Sequence, residues 1–409
     1  MEPFIAASLD VGTTKVSVVV AEVGPNQEPS ILAIGDQPCP GVDRGMIINL
    51  ESTTAAIGAA VLQAETMSGL PLRRVVASVS GDHVRSLNSA GVIGVSRQDH
   101  EITTEDVDRV LDAARAVAVP GDREVLHVLP RDFSVDEQAG ISDPVGMTGV
   151  RLEAEVHMIT VQATALQNLV RAIERAGLEV EAIVLGAIAT GESVLEPDER
   201  TLGAVLLDIG GGTTDIAVYE RGSIRHTAVI GYGGRVVTQD LAVGLRTPLE
   251  EAERVKILHG SCDSRRASIE RDIELGGVGG RSGSWISAQQ IAEIAEPRLE
   301  EILQLAQKEV CRVVETSALG GGLVLTGGVA RTPGLDKLAE QIFGLPVRIG
   351  HSVAVSGAED LAFDPRLSTA LGLLEFGVGS AVGTGSRRSG MLGRVARPVR
   401  DWIRANLPL

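Results

Sequence analysis

The chain has 409 residues, a formal net charge of −17, and 44% hydrophobic against 22% charged residues. The length exceeds one ordinary core and predicts two domains; the apolar share excludes a disordered chain, and the acidic balance excludes a chain-wide nucleic-acid binder. Aromatics make up 2% and glycines number 48, so the core has to be aliphatic and tight turns frequent.

Met1-Glu2-Pro3-Phe4 carries no basic stretch leading into a long apolar run, so no signal peptide is expected. No run of about 18 apolar residues occurs, and no membrane span is expected. Cys39, Cys262 and Cys311 are odd in number and far apart. They offer neither a metal-ligand spacing nor a disulfide framework, which fits a reducing cytosol.

In chain order, residues 5–9 and 15–22 read as strands joined by a Gly-Thr turn, 51–68 as a helix, and 75–80 as a buried Val-rich strand. Residues 81–159 change to short strands plus one helix, 104–117, with a Thr cap and an early Glu-Asp pair. Residues 164–176 form an amphipathic helix stopped by Gly177. Residues 202–218 repeat the strand, Gly-Thr turn, strand pattern. Helices follow at 247–258 and 287–314, separated by a Gly-rich loop at 276–284. A short strand, 323–325, runs into another glycine turn. Residues 377–390, with five Gly and three Ser, read as a linker ahead of a basic end.

Two segments resemble each other. Leu9-Asp10-Val11-Gly12-Thr13-Thr14-Lys15 and Leu207-Asp208-Ile209-Gly210-Gly211-Gly212-Thr213-Thr214-Asp215 align with a two-glycine insertion in the second. Each sets an Asp at the end of an apolar strand, then Gly and paired Thr. Such a turn aims N–H and hydroxyl groups at one point, which suits phosphate oxygens, while glycine lets the backbone come close. Asp10, Asp208 and Asp215 suit a hydrated Mg²⁺, which keeps most of its waters. A third turn, Thr326-Gly327-Gly328-Val329-Ala330-Arg331, follows a strand and precedes a helix near Pro333. Its glycine pair is expected at the adenosine and α-phosphate, and Arg331 among the nucleotide-binding residues.

This ordered set resembles the actin, heat-shock chaperone and sugar-kinase superfamily: two facing α/β lobes with ATP between them. Within it, Gly81-Asp82-His83-Val84-Arg85, Asp143-Pro144-Val145-Gly146-Met147, Gly149-Val150-Arg151-Leu152-Glu153, Thr164-Ala165-Leu166-Gln167-Asn168 and Gly244-Leu245-Arg246-Thr247-Pro248 resemble FtsA, the actin-like bacterial cell-division family, over roughly residues 4–376. The resemblance implies an α/β actin-like ATPase fold with two related lobes, an inserted 1C subdomain and a C-terminal amphipathic helix. Subdomain 1A would take residues 1–80 and 160–201, with a return at 359–376. Subdomain 1C would take 81–159, 2A 202–230 and 306–358, and 2B 231–305. It also implies ATP and Mg²⁺ as ligands. Gly12, Thr13, Thr14, Lys15, Gly210, Gly211, Gly212, Thr213 and Thr214 would hold phosphate. Gly233 and Gly234 would close over it, with Glu253 and Lys256 at the ribose and adenine. Most relatives carry a Glu-Pro pair where this chain has Gly186-Ala187. Without a carboxylate there to orient water, hydrolysis is expected to be slow or negligible, and no catalytic residue is assigned.

Beyond the linker, Met391, Leu392, Val395, Val399, Trp402 and Ile403 fall in one arc of a helical wheel, with Arg394, Arg397, Arg400 and Arg404 opposite. Residues 387–404 hold six Arg and one Asp, a balance of +5. A basic amphipathic helix of this kind suits anionic lipid, although Pro398 would kink it or restart it. The implied partners are the C-terminal peptide of FtsZ through 2B, further copies of the chain, anionic lipid and other division proteins, at the cytoplasmic face of the membrane at the septum. Two alternatives share the body: a pilus-assembly adaptor of the PilM type, expected to lack the basic tail, and a small-molecule kinase, for which no substrate-base carboxylate is evident. His83, His127 and His157 show no metal-like grouping and read as structural.

Overall fold

The computed structural model describes residues 3–24, 29–280, 283–352 and 363–382. The first lobe opens with β1 (Phe4–Val11), β2 (Lys15–Val23) and β3 (Pro29–Pro38). A two-residue-stranded hairpin, β4 (Val42–Asp43) and β5 (Met46–Ile47), leads into α1 (Leu50–Ser68) and β6 (Arg74–Val79). Asn49 caps α1 by accepting from Ser52 N–H at 3.0 Å, and Gly69, at φ 71°, ends it in the left-handed region.

An inserted sheet follows: β7 (Val84–Gly94), α2 (Thr104–Arg115), β8 (Arg123–Val135), β9 (Gln138–Ile141) and β10 (Arg151–Gln162). The strands were expected to be short, but β7, β8 and β10 run 11, 13 and 12 residues. Their polar positions interrupt the apolar alternation on the outer face, so only fragments read as strand. The antiparallel order is β7-β10-β8-β9, with α2 covering one face around Val107, Val110, Phe133 and Leu152.

The chain returns through α3 (Ala163–Arg175), β11 (Glu179–Leu185), α4 (Gly186–Val194) and α5 (Pro197–Leu202). The second lobe has β12 (Ala204–Ile209), β13 (Thr214–Glu220), β14 (Ser223–Ile230), α6 (Gly234–Leu245), α7 (Leu249–His259), β15 (Ile273–Leu275), β16 (Ser284–Ile286), α8 (Ala288–Cys311), β17 (Gly322–Thr326), α9 (Leu335–Phe343) and β18 (Val347–Ile349). β15 and β16, on either side of the expected loop at 276–284, pair as short antiparallel strands, with Ser284 in β16. Finally α10 (Ser368–Val382) packs back onto β1, where Ser8 Oγ donates to Ala370 O at 2.6 Å. Helix therefore continues through the first six residues of the expected linker. Residues 391–409, with every tail residue named above, lie outside the described residues.

The two lobes share one topology. The first sheet runs β11-β6-β1-β2-β3 and the second β18-β17-β12-β13-β14. In each, an antiparallel three-strand meander is extended by two parallel strands. The cores are built from Val, Ile, Leu and Ala, with Phe133, Tyr219 and Phe376 among the few large rings. Of the three histidines read as structural, two hold the fold through ring hydrogen bonds. Leu185 N–H donates to His127 Nε2 at 3.0 Å, and His157 bridges Asn88 (2.7 Å) and Thr227 (2.9 Å). Burial pushes His127 and His157 down to about 3, so both stay neutral.

Candidate functional site

The β1–β2 and β12–β13 turns meet head to head at a cleft of about 410 Å³ between the lobes. Each closes with the same bond: Gly12 N–H donates to Lys15 O and Gly210 N–H to Thr213 O, both at 2.9 Å. Asp10 faces Ser17 across its hairpin, and Asp208 faces Asp215. The loops are thus equal in length, and the expected two-glycine insertion is wrong. Thr13-Thr14 corresponds in space to Gly211-Gly212, because the turn geometry, not the Thr-Thr doublet, sets the register. The substitution is complementary. A Cβ on Gly211 would lie 2.3 Å from Thr14 Cγ2, and one on Gly212 2.4 Å from Thr13 Oγ1, so the bare backbone of one loop accommodates the side chains of the other.

The floor is acidic. Ser78 Oγ donates to Asp10 at 2.6 Å, Thr190 (2.9 Å) and Thr369 (3.0 Å) donate to Asp208, and Ser80 donates to both Asp215 oxygens at 2.6 and 2.7 Å. Burial raises all three carboxyls. Asp208 is pushed up to about 6 and Asp215 to about 7, with repulsion from Asp10 adding to the first and from Asp208 to the second. Lys15 is the nearby cation. Its buried Nζ has no hydrogen-bond partner, although it sits 3.2 Å from Asp36 Oδ1. A lysine ammonium beside bare glycine backbone fits a phosphate chain, and crowded carboxyls fit a cation. Among the described residues no three His, Cys, Asp or Glu side chains are grouped to grip a metal directly. Carboxyls held in place by hydroxyl donors suit a hydrated ion bound through its waters.

The second lobe supplies the opposite wall. Lys256 Nζ donates to Glu253 at 2.6 Å, Thr238 at 2.8 Å and Gly234 O at 3.1 Å, tying α7 to α6. Val237, Ala295, Leu299 and Val329 give this end an apolar lining. Gly327 has φ 84°, and a Cβ there would lie 2.4 Å from Asp208 Oδ1, so only glycine fits. Gly328 and Arg331 line the same end.

Of the residues singled out in sequence, Thr214 and Gly233 do not line the cleft. Thr214 Oγ1 donates to Tyr232 O at 2.8 Å, and Gly233 packs on the Gly210–Gly211 backbone. The rest of the two loops lines it, as do Gly234, Glu253, Lys256, Gly327, Gly328, Arg331 and the three aspartates. Gly186 opens α4 at the wall and Ala187 is buried. Glu192, the carboxylate of α4, pairs with Arg200 at 2.9 Å and does not line the cleft. Sequence reasoning missed Ser78, Ser80, Arg366 and Thr369, which line the cleft, and Thr190 behind Asp208. The Ser-x-Ser alternation ending β6 is a signal that could have found two of them. Thr190 and Thr369 carry no local signal, since helix packing alone brings them together.

The family model for cell division protein FtsA matches residues 205–372, and that for the SHS2 domain inserted in FTSA matches residues 81–160. The chain is 40% identical to the cell division protein FtsA of Pseudomonas aeruginosa, covering 97% of both chains. It is 38% identical to that of Escherichia coli strain K12, covering 98% of this chain and 96% of that one. Among solved structures, a chain of the PilM-PilN type IV pilus biogenesis complex superposes with TM-score 0.65 at 19% identity, covering 91% of this chain and 98% of that one. MreB5 of Spiroplasma citri bound to ADP gives 0.57 at 17%, covering 94% and 99%. Identities this low speak for the actin-like fold alone.

Proposed function

The chain belongs to the FtsA family of actin-like cell division proteins, and from that premise we propose that it binds MgATP in the inter-lobe cleft and tethers FtsZ filaments to the cytoplasmic face of the membrane at the septum. Its lobes divide into subdomains 1A, 1C, 2A and 2B within the bounds given above. The 2B face takes the C-terminal peptide of FtsZ, further copies of the chain add to a filament, and the basic tail, residues 391–409, anchors it to anionic lipid. The observation that carries this reading is one cleft, drawing both Asp-Gly loops, Gly327 and Lys256 together, in a chain matched end to end by division proteins.

The test is co-sedimentation with FtsZ and anionic liposomes, with and without ATP. The full chain is expected to carry FtsZ into the liposome pellet. Removing residues 391–409 is expected to abolish this, and phosphate release in the same tubes to stay below about 1 s⁻¹, under the usual phosphotransferase range. Undiminished pelleting of FtsZ by the truncated chain would refute the anchor.

The raised carboxyls give the cleft a pH dependence of definite sign. Protons compete with the cation at Asp215 below pH about 7 and at Asp208 below about 6. Mg²⁺ affinity in the presence of ATP is expected to fall about tenfold from pH 8 to pH 6, roughly one decade per pH unit below the higher value. In the ligand-free chain the same groups act oppositely. Folded values above the ordinary carboxyl value add stability as pH falls from about 7 toward 4 and withdraw it as pH rises. Calorimetric titration at the two pH values decides. Equal Mg²⁺ affinities would show that these carboxyls do not meet the ion.

A further inference from the structure

The β4–β5 hairpin lies across the phosphate end of the cleft and touches both loops' supports. Its turn residues, Arg44 and Gly45, have φ 47° and 75°, a pair of left-handed residues that fixes a tight two-residue turn. Gly45 is held hard against the first lobe, where a Cβ would lie 2.0 Å from Ser80 O. Its N–H donates to Thr13 Oγ1 at 3.2 Å, so the hairpin is fastened to the first phosphate loop.

The other side of the hairpin meets the second lobe. Asp43 Oδ1 accepts from Arg235 Nη1 at 3.2 Å, and the Arg44 guanidinium stands 6.0 Å over the Tyr232 ring. Below them Asp82 lies so close to Gly231 that a Cβ there would be 2.6 Å from its Oδ2. The gripped segment, residues 231–235, is held from behind by the second loop. Gly234 N–H donates to Gly210 O at 2.9 Å and Arg235 N–H to Gly211 O at 2.7 Å. A continuous chain of contacts thus runs from Thr13 through Gly45, Asp43 and Arg235 to Gly211, joining the two loops outside the cleft.

We propose that this hairpin is a clasp that times nucleotide entry and release, with Asp43 and Arg235 as its positioning pair. Neither side chain lines the cleft. They act by holding the lobes at their closed separation, so that a bound triphosphate leaves only after the clasp parts. Both are about half exposed, at 46% and 47%, which puts the pair among weak, salt-sensitive ion pairs. A contact of that strength suits a part that opens repeatedly.

The proposal rests on the nucleotide reading of the cleft, and the test separates the two. Fluorescent mant-ATP with Mg²⁺ is mixed with the full chain by stopped flow, giving association and release rates at 50 mM and 500 mM salt. Asp43→Asn and Arg235→Gln are each expected to raise both rates about threefold at low salt, with Kd changed by less than about twofold. The difference from wild type should vanish at high salt. The exchange D43R/R235D is expected to restore wild-type rates. Faster release with unchanged association would mark a simple binding contact and overturn the clasp. So would wild-type rates in both single variants, or an exchange variant as fast as either. If the wild-type chain binds no mant-ATP, the nucleotide reading itself falls and the clasp with it.

Discussion

Replacing Gly372 by valine is expected to destabilise the folded chain by about 3 kcal/mol, the upper range for overpacking, and to weaken nucleotide binding with it. A Cβ on Gly372 would lie 1.8 Å from Ala189 O and 2.5 Å from Ala189 C. Those are backbone atoms of α4, so no rotamer change relieves the clash, and α10 has to move away as a body. The movement reaches the cleft directly. Thr190 on α4 and Thr369 on α10 lie 2.9 Å apart and both donate to Asp208 Oδ2. Separating the helices strips that carboxylate of its two hydroxyl partners. Thermal melting is expected to show a midpoint about 5 °C lower. Gly58 in α1, where a Cβ meets nothing within 4 Å, supplies the contrast. Gly58→Ala is expected to leave the midpoint unchanged or to raise it, since alanine favours helix by up to about 1 kcal/mol. Equal midpoints for the Gly372 and Gly58 variants would refute the close-crossing account.

Gly212→Val is expected to lower MgATP affinity at least about 100-fold, near 2.7 kcal/mol, while leaving the fold intact. The new side chain would meet Thr13 Oγ1 at 2.4 Å and Thr13 Cγ2 at 2.6 Å, at the mouth of the cleft and not in a core. It would force the two loops apart at their point of contact and push Thr13 off Gly45 N–H, spoiling the geometry with which both loops meet phosphate. Calorimetric titration of MgATP measures the loss, and circular dichroism checks the fold. Affinity within threefold of wild type would mean that phosphate binding does not depend on how these loops meet.

The parts of this site legible in the sequence are those carried by short, local patterns. An Asp ending an apolar strand before glycine marked both loops because turn chemistry needs nothing beyond its own residues. Lys256 and Glu253 were placed by resemblance, and the cleft includes both. The register of the second loop was misread because a Thr-Thr doublet looks like an anchor in one dimension. In three, the bond from Gly210 N–H to Thr213 O fixes the turn and places Thr214 behind it. The duplication also runs deeper than its loops. Ala77 of β6 stands beside Leu9 as Leu325 of β17 stands beside Leu207, so Ser78 holds the place in the first sheet that Thr326 holds in the second, and the two share a hydroxyl. Thr190 and Thr369, 179 residues apart, were invisible because helix crossing distance, not periodicity, joins them.

The return of α10 to β1 imposes an order on the chain's manufacture. The strands of the second sheet, residues 204–349, form one unbroken stretch, whereas the first lobe is closed by a bond from Ser8 to Ala370 across 362 positions. A ribosome delivers β1 well before its covering helix. While residues 9–369 are being made, the opening strand lacks that cover, a span of some tens of seconds at the usual pace of synthesis. Asp208 has no Thr369 hydroxyl to meet until that helix emerges. The nascent chain can therefore pair the strands of its second sheet before its cleft is finished, which waits for Thr369 and Ala370.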